Sequence, residues 1–310
     1  MSHSQSTSRP PHSLCPICGG SASVPFFAKN GYAIVRCETC SVLYVRPMPS
    51  DAELEAHYQN PAYYEGEEDQ GYRSYADMKK ALRPHFAHRL RVMDAHLPSR
   101  GRLLDFGCAA GYFMEMARTD GWRIAGVELA TDMARHTSDR LGVQIAASLD
   151  ALNGNDFDAI TLWEVIEHLP RPVEQLRLLY KRLRPGGLLM LSTPNNSHWQ
   201  AVREPDAWTS YRPPSHLLYF TADTLQDALR RAGFERIEVR RFSPWPPLPN
   251  WLRRLSAPLQ HQLVIGQAKV WPLALLAWRA IRILGWGWQK VAHPHDDIFT
   301  TLEAITFRPV

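Results

Sequence analysis

The feature that most constrains this chain is a regular alternation of short apolar runs and amphipathic stretches after residue 100. Strand-length runs such as RLLDFG, RIAGVEL, FDAITLW and GGLLMLSTP are separated by segments with helical periodicity. Strands that alternate with helices predict a parallel sheet covered by crossover helices. We therefore expect an α/β fold, a doubly wound Rossmann-like sheet over 99–310, with a helical insertion at 243–298 before the last strand, LEAITFRP.

Four of the five cysteines form two C-x-x-C pairs near the start of the chain. In a reducing compartment such pairs are metal ligands more often than disulfides, and their spacing matches the two knuckles of a zinc ribbon. Four thiolates complete a tetrahedral Zn²⁺ and leave no coordination position open, so the zinc would be structural. Two redox-active or incidental pairs are the alternative. The ligands of this predicted ribbon, residues 13–46, are Cys15, Cys18, Cys37 and Cys40.

The rest of the chain before the sheet predicts a disordered tail at 1–12 and a helical connector or lid at 47–98. Ser50 stands as an N-cap before Glu53. The chain start lacks the basic and apolar segments of a signal peptide, so we expect a cytoplasmic protein. The connector is rich in tyrosines, which more often pack a domain boundary but could roof an active site: Tyr58, Tyr63, Tyr64, Tyr72 and Tyr75.

Two acidic residues follow the first two strands of the predicted sheet. Asp105 precedes a turn that contains Gly107 and Gly111, and Glu128 ends the second strand. The turn lacks the G-x-G-x-x-G spacing of a dinucleotide site, and an acid before the first glycine suits a cationic ligand better than a pyrophosphate. In doubly wound folds an acid at the end of the second strand binds a ribose diol. Capping of helices by both acids is the alternative.

These motifs, with FDAITLWEVIEHL, LRPGGLLMLSTPN and SHLLYFTADTLQDALRRAGF, resemble the class I S-adenosylmethionine-dependent methyltransferases over 100–242 and the last strand. The resemblance implies S-adenosyl-L-methionine as the methyl donor. The family often has a third glycine where this chain has Ala109. The resemblance implies donor contacts from Asp105, Gly107, Ala109 and Gly111 at the methionine end, Glu128 at the ribose, and Ser148 and Leu149 at the adenine.

The segment WEVIEHL, residues 163–169, brings three polar side chains close together. On a helix Glu164, Glu167 and His168 would share one face, at i, i+3 and i+4. The segment is similar to the E-x-x-E-H of ubiquinone-pathway O-methyltransferases and small-RNA 2′-O-methyltransferases, which implies a site for Mg²⁺ or another divalent ion that His216 would complete. The alternatives are that His168 or His216 is a general base, or that Glu164 caps a helix or orients the methionine amine.

The insertion contains a stretch, 271–288, that is rich in tryptophan and carries Arg279 and Arg282 on one helical face. Charge and glycine interrupt it too often for a membrane span. This composition favours a helix in a lipid interface or a lid over an apolar acceptor. Burial against the catalytic domain or a dimer partner is an equally open alternative.

The whole sequence predicts methyl transfer to a small-molecule acceptor. A zinc ribbon ahead of this fold resembles sugar C-methyltransferases of natural-product pathways, which implies a nucleotide- or lipid-linked sugar, and a hydroxylated metabolite is the second acceptor class. The alternative is a nucleic-acid-binding protein or an RNA methyltransferase. Against it, the net charge is only +4 and the ribbon offers only Lys29, Arg36 and Arg46 as cations.

Overall fold

The computed structural model describes residues 14–59, 75–97, 99–152, 154–243 and 271–310. The predicted disordered tail lies outside the described residues, as do Tyr63, Tyr64 and Tyr72 of the connector and most of the first half of the insertion. None of the described helices combines the length and hydropathy needed to cross a bilayer.

The amino-terminal unit is a small antiparallel sheet behind two cysteine turns. Its strands are β1 (Ser23–Lys29), β2 (Tyr32–Cys37) and β3 (Leu43–Arg46). In each turn the carbonyl of a first cysteine accepts from an amide four residues on: Gly19 N donates to Cys15 O, and Ser41 N donates to Cys37 O. A fourth strand, β9 (Leu218–Tyr219), pairs with β3 from far along the chain. The predicted ribbon sheet is therefore completed by a strand of the larger domain.

The larger domain has a seven-stranded sheet in the order β10-β11-β8-β7-β4-β5-β6. The five strands from β8 to β6 run parallel, while β11 lies antiparallel between β8 and β10. This confirms the predicted α/β, Rossmann-like fold. The strands are β4 (Arg102–Phe106), β5 (Arg123–Val127), β6 (Ile145–Ala146), β7 (Phe157–Trp163), β8 (Leu183–Pro194), β10 (Glu235–Phe242) and β11 (Thr301–Phe307).

Helices cover both faces of this sheet, because its central strands are apolar on both sides. Residues 159, 160 and 162 of β7 and 188–191 of β8 are fully buried, as expected for parallel strands between two helical layers. The helices are α1 (Asp51–Gln59), α2 (Tyr75–His96), α3 (Tyr112–Thr119), α4 (Thr131–Leu141), α5 (Pro172–Arg182), α6 (Trp199–Arg203), α7 (Ala222–Arg231) and α8 (Trp271–Ala292).

Two helices of the described structure, α1 and α2, lie within the predicted helical connector, 47–98. At the start of α1 the Ser50 hydroxyl accepts from Glu53 N at 3.3 Å, and the Glu53 carboxylate accepts from Ser50 N at 2.8 Å. This is a capping box, as the spacing predicts. Helix α2 packs beside α3 and buries Phe86, Leu90 and Met93. Part of the insertion is also helical, as α8.

The helical prediction for WEVIEHL is wrong. Trp163 ends β7, Glu164 has a left-handed backbone with φ 57°, and only Ile166–His168 forms a short 3₁₀ helix. Pro170 and Pro172 follow, and a proline inside a helix removes an amide donor and disfavours helical geometry in the preceding residue. The α-helix therefore begins only at Pro172, and the three polar side chains do not share one helical face.

Candidate active site

A cavity of about 520 Å³ opens at the carboxyl ends of β4, β5 and β7. This volume lies within the range of pockets that bind small ligands, and the position is the one at which open α/β sheets bind them. Most residues predicted to contact the donor surround it. Of these the lining includes Gly107, Ala109, Glu128, Ser148, Leu149 and Glu164.

The turn after β4 brings its backbone close to the end of β5. Gly107, Ala109 and Gly111 all have positive φ, at 76°, 43° and 65°. The Glu128 carboxylate accepts from Ala109 N at 2.8 Å and from Ala130 N at 3.0 Å, so it fixes both the turn and itself at the cavity wall. A left-handed backbone costs an alanine roughly 1–2 kcal/mol, a cost that a glycine at this position would not have. The hydrogen bond from Ala109 N to Glu128 helps to hold this strained backbone.

Asp105 lies behind the cavity wall. Its side chain is 2% exposed and accepts a hydrogen bond from the Thr161 hydroxyl at 2.7 Å. Burial raises the pKa of Asp105 to about 7, against the opposing effects of Thr161 and Arg89. Neither Asp105 nor Gly111 is among the residues that line the cavity. Contact of these two residues with the donor therefore stays a prediction.

Glu164 belongs to a buried polar network rather than to the cluster predicted around His168. Its carboxylate accepts from the Ser192 hydroxyl at 2.7 Å, and Ser192 in turn accepts from the Arg89 guanidinium at 2.9 Å. Arg89 also pairs with Glu303 at 3.1 Å and stacks over the Trp163 ring at 4.1 Å. Arg89 of α2 is thus connected through Ser192 to the Glu164 carboxylate, which lines the cavity.

Three of the four residues predicted for a divalent ion do come together. Suitable atoms of Glu167, His168 and His216 lie within 4.8 Å of one another, and the two imidazole rings meet edge to face at 4.8 Å. Glu167 is 1% exposed; one carboxylate oxygen accepts from the Thr193 hydroxyl, and the other has no hydrogen-bond partner in the described part of the chain. Such an orphaned oxygen fits a cation or a ligand donor.

His216 is nevertheless occupied at both ring nitrogens. Its Nδ1 lies 2.8 Å from the Ser210 carbonyl oxygen, which only accepts, and its Nε2 lies 2.9 Å from Arg212 Nη2, which only donates. His216 is therefore the neutral tautomer with its proton on Nδ1. Because Arg212 covers the lone pair on Nε2, this arrangement fits neither a metal ligand nor a general base at His216.

His168 is held from the connector. The Tyr58 hydroxyl of α1 donates to the Ser215 carbonyl oxygen at 3.2 Å and lies 3.0 Å from His168 Nδ1. When the Tyr58 proton lies on Ser215 O, Tyr58 accepts from Nδ1–H, and Nε2 is the nitrogen of His168 that can take a proton. Burial, reinforced by the charge of Arg212, lowers the pKa of His168 to about 3. This histidine is therefore neutral throughout the physiological pH range.

The four ribbon cysteines fit a tetrahedral metal. Their sulfur atoms all lie within 4.8 Å of one another, with Cys15–Cys40 and Cys18–Cys37 contacts of 3.5 Å. Four sulfur ligands in this arrangement are typical of structural Zn²⁺ sites. The sequence-predicted set is complete, and no oxygen or nitrogen ligand is needed.

Cavity residues that the sequence did not indicate come from α1, from α5 and from residues 169–171 before α5. The sequence did not predict them because no local pattern shows that a helix lies against a distant cavity. The one indication was the enrichment of tyrosine in the connector, which includes Tyr58. The additional cavity residues from these segments are Asp51, Leu54, Glu55, Leu169, Pro170, Arg171, Gln175 and Leu178.

Comparison with known proteins shows the family to which the chain belongs. A family model described as a methyltransferase domain matches residues 75–239. Curated relatives include ubiquinone biosynthesis O-methyltransferases from Xanthomonas axonopodis pv. citri, 35% identical over 35% of this chain and 50% of that protein, and from Cereibacter sphaeroides, 30% identical over 54% of this chain and 73% of that protein. The chain spans about half to three-quarters of the length of these relatives.

Solved structures show the same fold. Phosphoethanolamine N-methyltransferase 2 of Haemonchus contortus, in complex with S-adenosyl-L-methionine, has a TM-score of 0.52 at 18% identity and covers 86% of this chain and 62% of its own. A SAM-dependent methyltransferase from Archaeoglobus fulgidus has a TM-score of 0.50 at 18% identity over 75% of this chain and 98% of its own. With a family model that matches more than half of the residues, this chain belongs to the S-adenosylmethionine-dependent methyltransferases.

Proposed function

We propose that this methyltransferase methylates a hydroxyl group of a small, largely apolar molecule. The observation that carries the proposal is the neutral His168, which lines the same cavity as Glu128 and Glu164 and is held by Tyr58. A neutral imidazole with a basic Nε2 suits the removal or orientation of a hydroxyl proton. The curated relatives named as O-methyltransferases support oxygen as the acceptor atom.

The donor end of the cavity fits S-adenosylmethionine. This molecule supplies a methyl group on a positively charged sulfur, and two carboxylates, Glu128 and Glu164, line the cavity. Ser148 and Leu149 lie at the part of the wall that follows β6, where the adenine was predicted. The turn at Gly107 and Ala109 contributes backbone rather than side chains. These residues bind and orient the donor, and alignment of donor and acceptor contributes much of the rate.

At the acceptor end, His168 binds the hydroxyl, and Tyr58 holds the His168 ring in place. Burial keeps His168 uncharged, so it does not repel the cationic donor. Its low proton affinity in the free protein means that it takes a proton only as the hydroxyl is methylated and becomes acidic. His216 supports the ring of His168 from its edge and takes no proton itself, because Arg212 covers its Nε2.

The test is methyl transfer from isotope-labelled S-adenosylmethionine to a panel of phenols, catechols, nucleotide-linked sugars and lipid-linked sugars, with the methylated atom assigned by NMR. We expect O-methylated phenolic products and a loss of roughly 10²-fold or more in kcat for His168→Gln. Tyr58→Phe loses less, because the imidazole stays. His136→Gln, on the exposed face of α4, is the matched control. Methylation of carbon in a nucleotide-linked sugar would instead favour the sugar class.

We propose further that α8 binds an anionic lipid surface. Its described side chains leave Leu276, Ile283, Leu284, Trp288 and Val291 exposed by 55–76%, at the i, i+7, i+8, i+12 and i+15 positions of one face. The chain contains no Asp or Glu from 243 to 295, yet it carries six Lys and Arg there. Apolar side chains with a surplus of positive charge match a negatively charged bilayer, and a lipid-soluble acceptor would be delivered at that surface.

Co-sedimentation tests this surface. We expect binding to vesicles that contain phosphatidylglycerol, weaker binding to pure phosphatidylcholine, and loss of binding in Ile283→Asp/Trp288→Asp. Val202→Asp, which changes a 60% exposed valine of α6, is the matched control and leaves binding unchanged. Equal sedimentation of wild type and double variant would contradict the proposal, and a concentration-dependent dimer without vesicle binding would assign the face to a second copy.

The nucleic-acid alternative has little support from the ribbon. Lys29 donates to the Asp206 carbonyl oxygen at 3.0 Å, Arg46 donates to Ser23 at 2.5 Å, and Arg36 lies 5.3 Å from the centre of the Phe26 ring. All three cations thus have partners within the protein. A gel-shift assay at two salt concentrations would revive the alternative only if binding weakened steeply with salt.

A further inference from the structure

We propose that Arg212 supplies the positive charge of the Glu167–His168–His216 cluster, at the place where a divalent ion would bind, so that methyl transfer needs no such ion. The inference rests on the proposed function for its activity readout. Its metal-binding readout is independent of that function.

The loop before β9 is built to place Arg212 against His216. The His216 amide donates to the Arg212 carbonyl at 2.9 Å, which closes a turn and brings the two side chains to one side of the loop. Trp208 and Tyr211, which are 4% and 0% exposed, anchor the loop in a core shared with the ribbon strands. The contact between Arg212 Nη2 and His216 Nε2 is therefore fixed by packing on both sides.

A metal would need ring nitrogens that already have partners. At His216, Arg212 covers Nε2 and the Ser210 carbonyl covers Nδ1. At His168, Nδ1 faces the Tyr58 hydroxyl. An ion could take the free oxygen of Glu167 and the remaining nitrogen of His168, but it would gain His216 only if Arg212 moved away.

Electrostatics favours the same assignment. Burial raises the pKa of Glu164 and of Glu167, and the charge of Arg212 opposes the rise at both carboxyls. A divalent ion beside this guanidinium would be repelled, because two like charges a few ångströms apart in a poorly solvated site interact strongly. Arg212 also has a donor, Nε, that is buried and has no partner among the described residues.

The experiment compares wild type, Arg212→Met and Arg212→Met/Glu167→Gln, each with its ribbon zinc confirmed by elemental analysis. Mn²⁺ binding is measured by electron paramagnetic resonance. We expect no stoichiometric Mn²⁺ in the wild type, one ion in Arg212→Met, and none in the double variant. Stoichiometric Mn²⁺ in the wild type would overturn the proposal, as would a single variant that folds and binds none.

Activity provides the second arm. Wild-type transfer should be unchanged by added Mg²⁺ or Mn²⁺ and by their removal, while Arg212→Met loses about 10²-fold in kcat, because the His216 ring and the His168 ring beside it lose the group that positions them. Arg212→Lys keeps the positive charge, so it should recover part of that loss. If Arg212→Met does not fold, Arg212→Lys replaces it in the Mn²⁺ measurement, and we expect Arg212→Lys to bind no ion. A wild type that requires Mg²⁺ would overturn the proposal. If no acceptor is methylated, the proposed function fails, and the Mn²⁺ arm still decides the role of Arg212.

Discussion

At the scale of single residues, burial decides which acid acts directly. Glu128 and Asp105 look equivalent in the sequence, since each stands at the end of a predicted strand of the sheet. In the fold Glu128 lines the cavity, whereas Asp105 faces Thr161 behind it. Asp105 can therefore influence a cationic donor mainly through its charge, and that charge depends on pH.

Burial raises the pKa of Asp105 from its ordinary value of 3.8 to about 7. The folded protein thus holds this proton more tightly than the unfolded chain does, so the contribution of Asp105 to stability falls as the pH rises from about 4 to about 7. A cationic donor prefers the ionised carboxylate. We predict that S-adenosylmethionine binds roughly tenfold more tightly at pH 8 than at pH 6.

Isothermal titration at the two pH values measures this effect. Asp105→Asn keeps the shape of the side chain and should bind weakly with little pH dependence. An affinity of the wild type that does not change between pH 6 and pH 8 would show that the charge of Asp105 is not linked to donor binding.

At the scale of elements, the connector helices complete the candidate active site. Helix α1 supplies Tyr58, and α2 supplies Arg89, which is 6% exposed and joins Glu303, Ser192 and the Trp163 ring. Neither helix belongs to the layer of strands, and neither carries a cysteine of the ribbon. Their shared role is to position the side chains at the ends of β7 and β8.

We predict that Arg89→Met destabilises the protein by about 3–5 kcal/mol, because Glu303 would remain buried without its cation. Urea unfolding followed by circular dichroism measures this change. In Arg89→Met/Glu303→Gln the loss should be smaller, since no unpaired charge is left. Arg91→Met, on the exposed side of the same helix, is the control and should change stability by less than about 0.5 kcal/mol. Equal losses in the two arginine variants would contradict the assignment of Arg89.

At the scale of the whole molecule, the ribbon and the active site are one hydrogen-bonded system. Val45 N of β3 donates to Leu217 O at 2.9 Å, and Leu217 N donates to Glu167 O at 2.8 Å. The ribbon sheet is thus two hydrogen bonds away from the cluster at His168. The residues predicted to contact the methyl donor, on the turns after β4 and β5, take no part in these two hydrogen bonds.

We predict that loss of the ribbon metal impairs acceptor methylation and spares donor binding. Cys37→Ser should lose its zinc. It should raise KM for the acceptor or lower kcat by about tenfold or more, because small displacements of positioned groups have effects of this size. Its affinity for S-adenosylmethionine should not change. Glu38→Gln, the exposed neighbour, is the control. Elemental analysis, titration and steady-state kinetics provide the measurements. A variant that loses zinc but retains full kcat and KM would separate the ribbon from the active site.

The sequence alone determined the features that depend on local pattern. Periodicity gave the α/β class and nearly every strand of the large sheet, and C-x-x-C spacing gave the four cysteines that come together. Glu128, Ser148 and Leu149, for which the resemblance implies donor contacts, line one cavity. These predictions succeeded because each rests on residues close in the chain or on the ends of adjacent parallel strands.

Only the tertiary structure decided what depends on contacts between distant segments. Tyr58 meets His168 across 110 positions, Arg89 meets Glu303 across 214, and β3 pairs with β9. The loop that carries Arg212 reaches the cluster only because its backbone bonds to the 3₁₀ segment that replaces the expected helix. Side-chain direction and burial follow from such packing, so the sequence could name the candidate residues of the site but not which of them face the cavity.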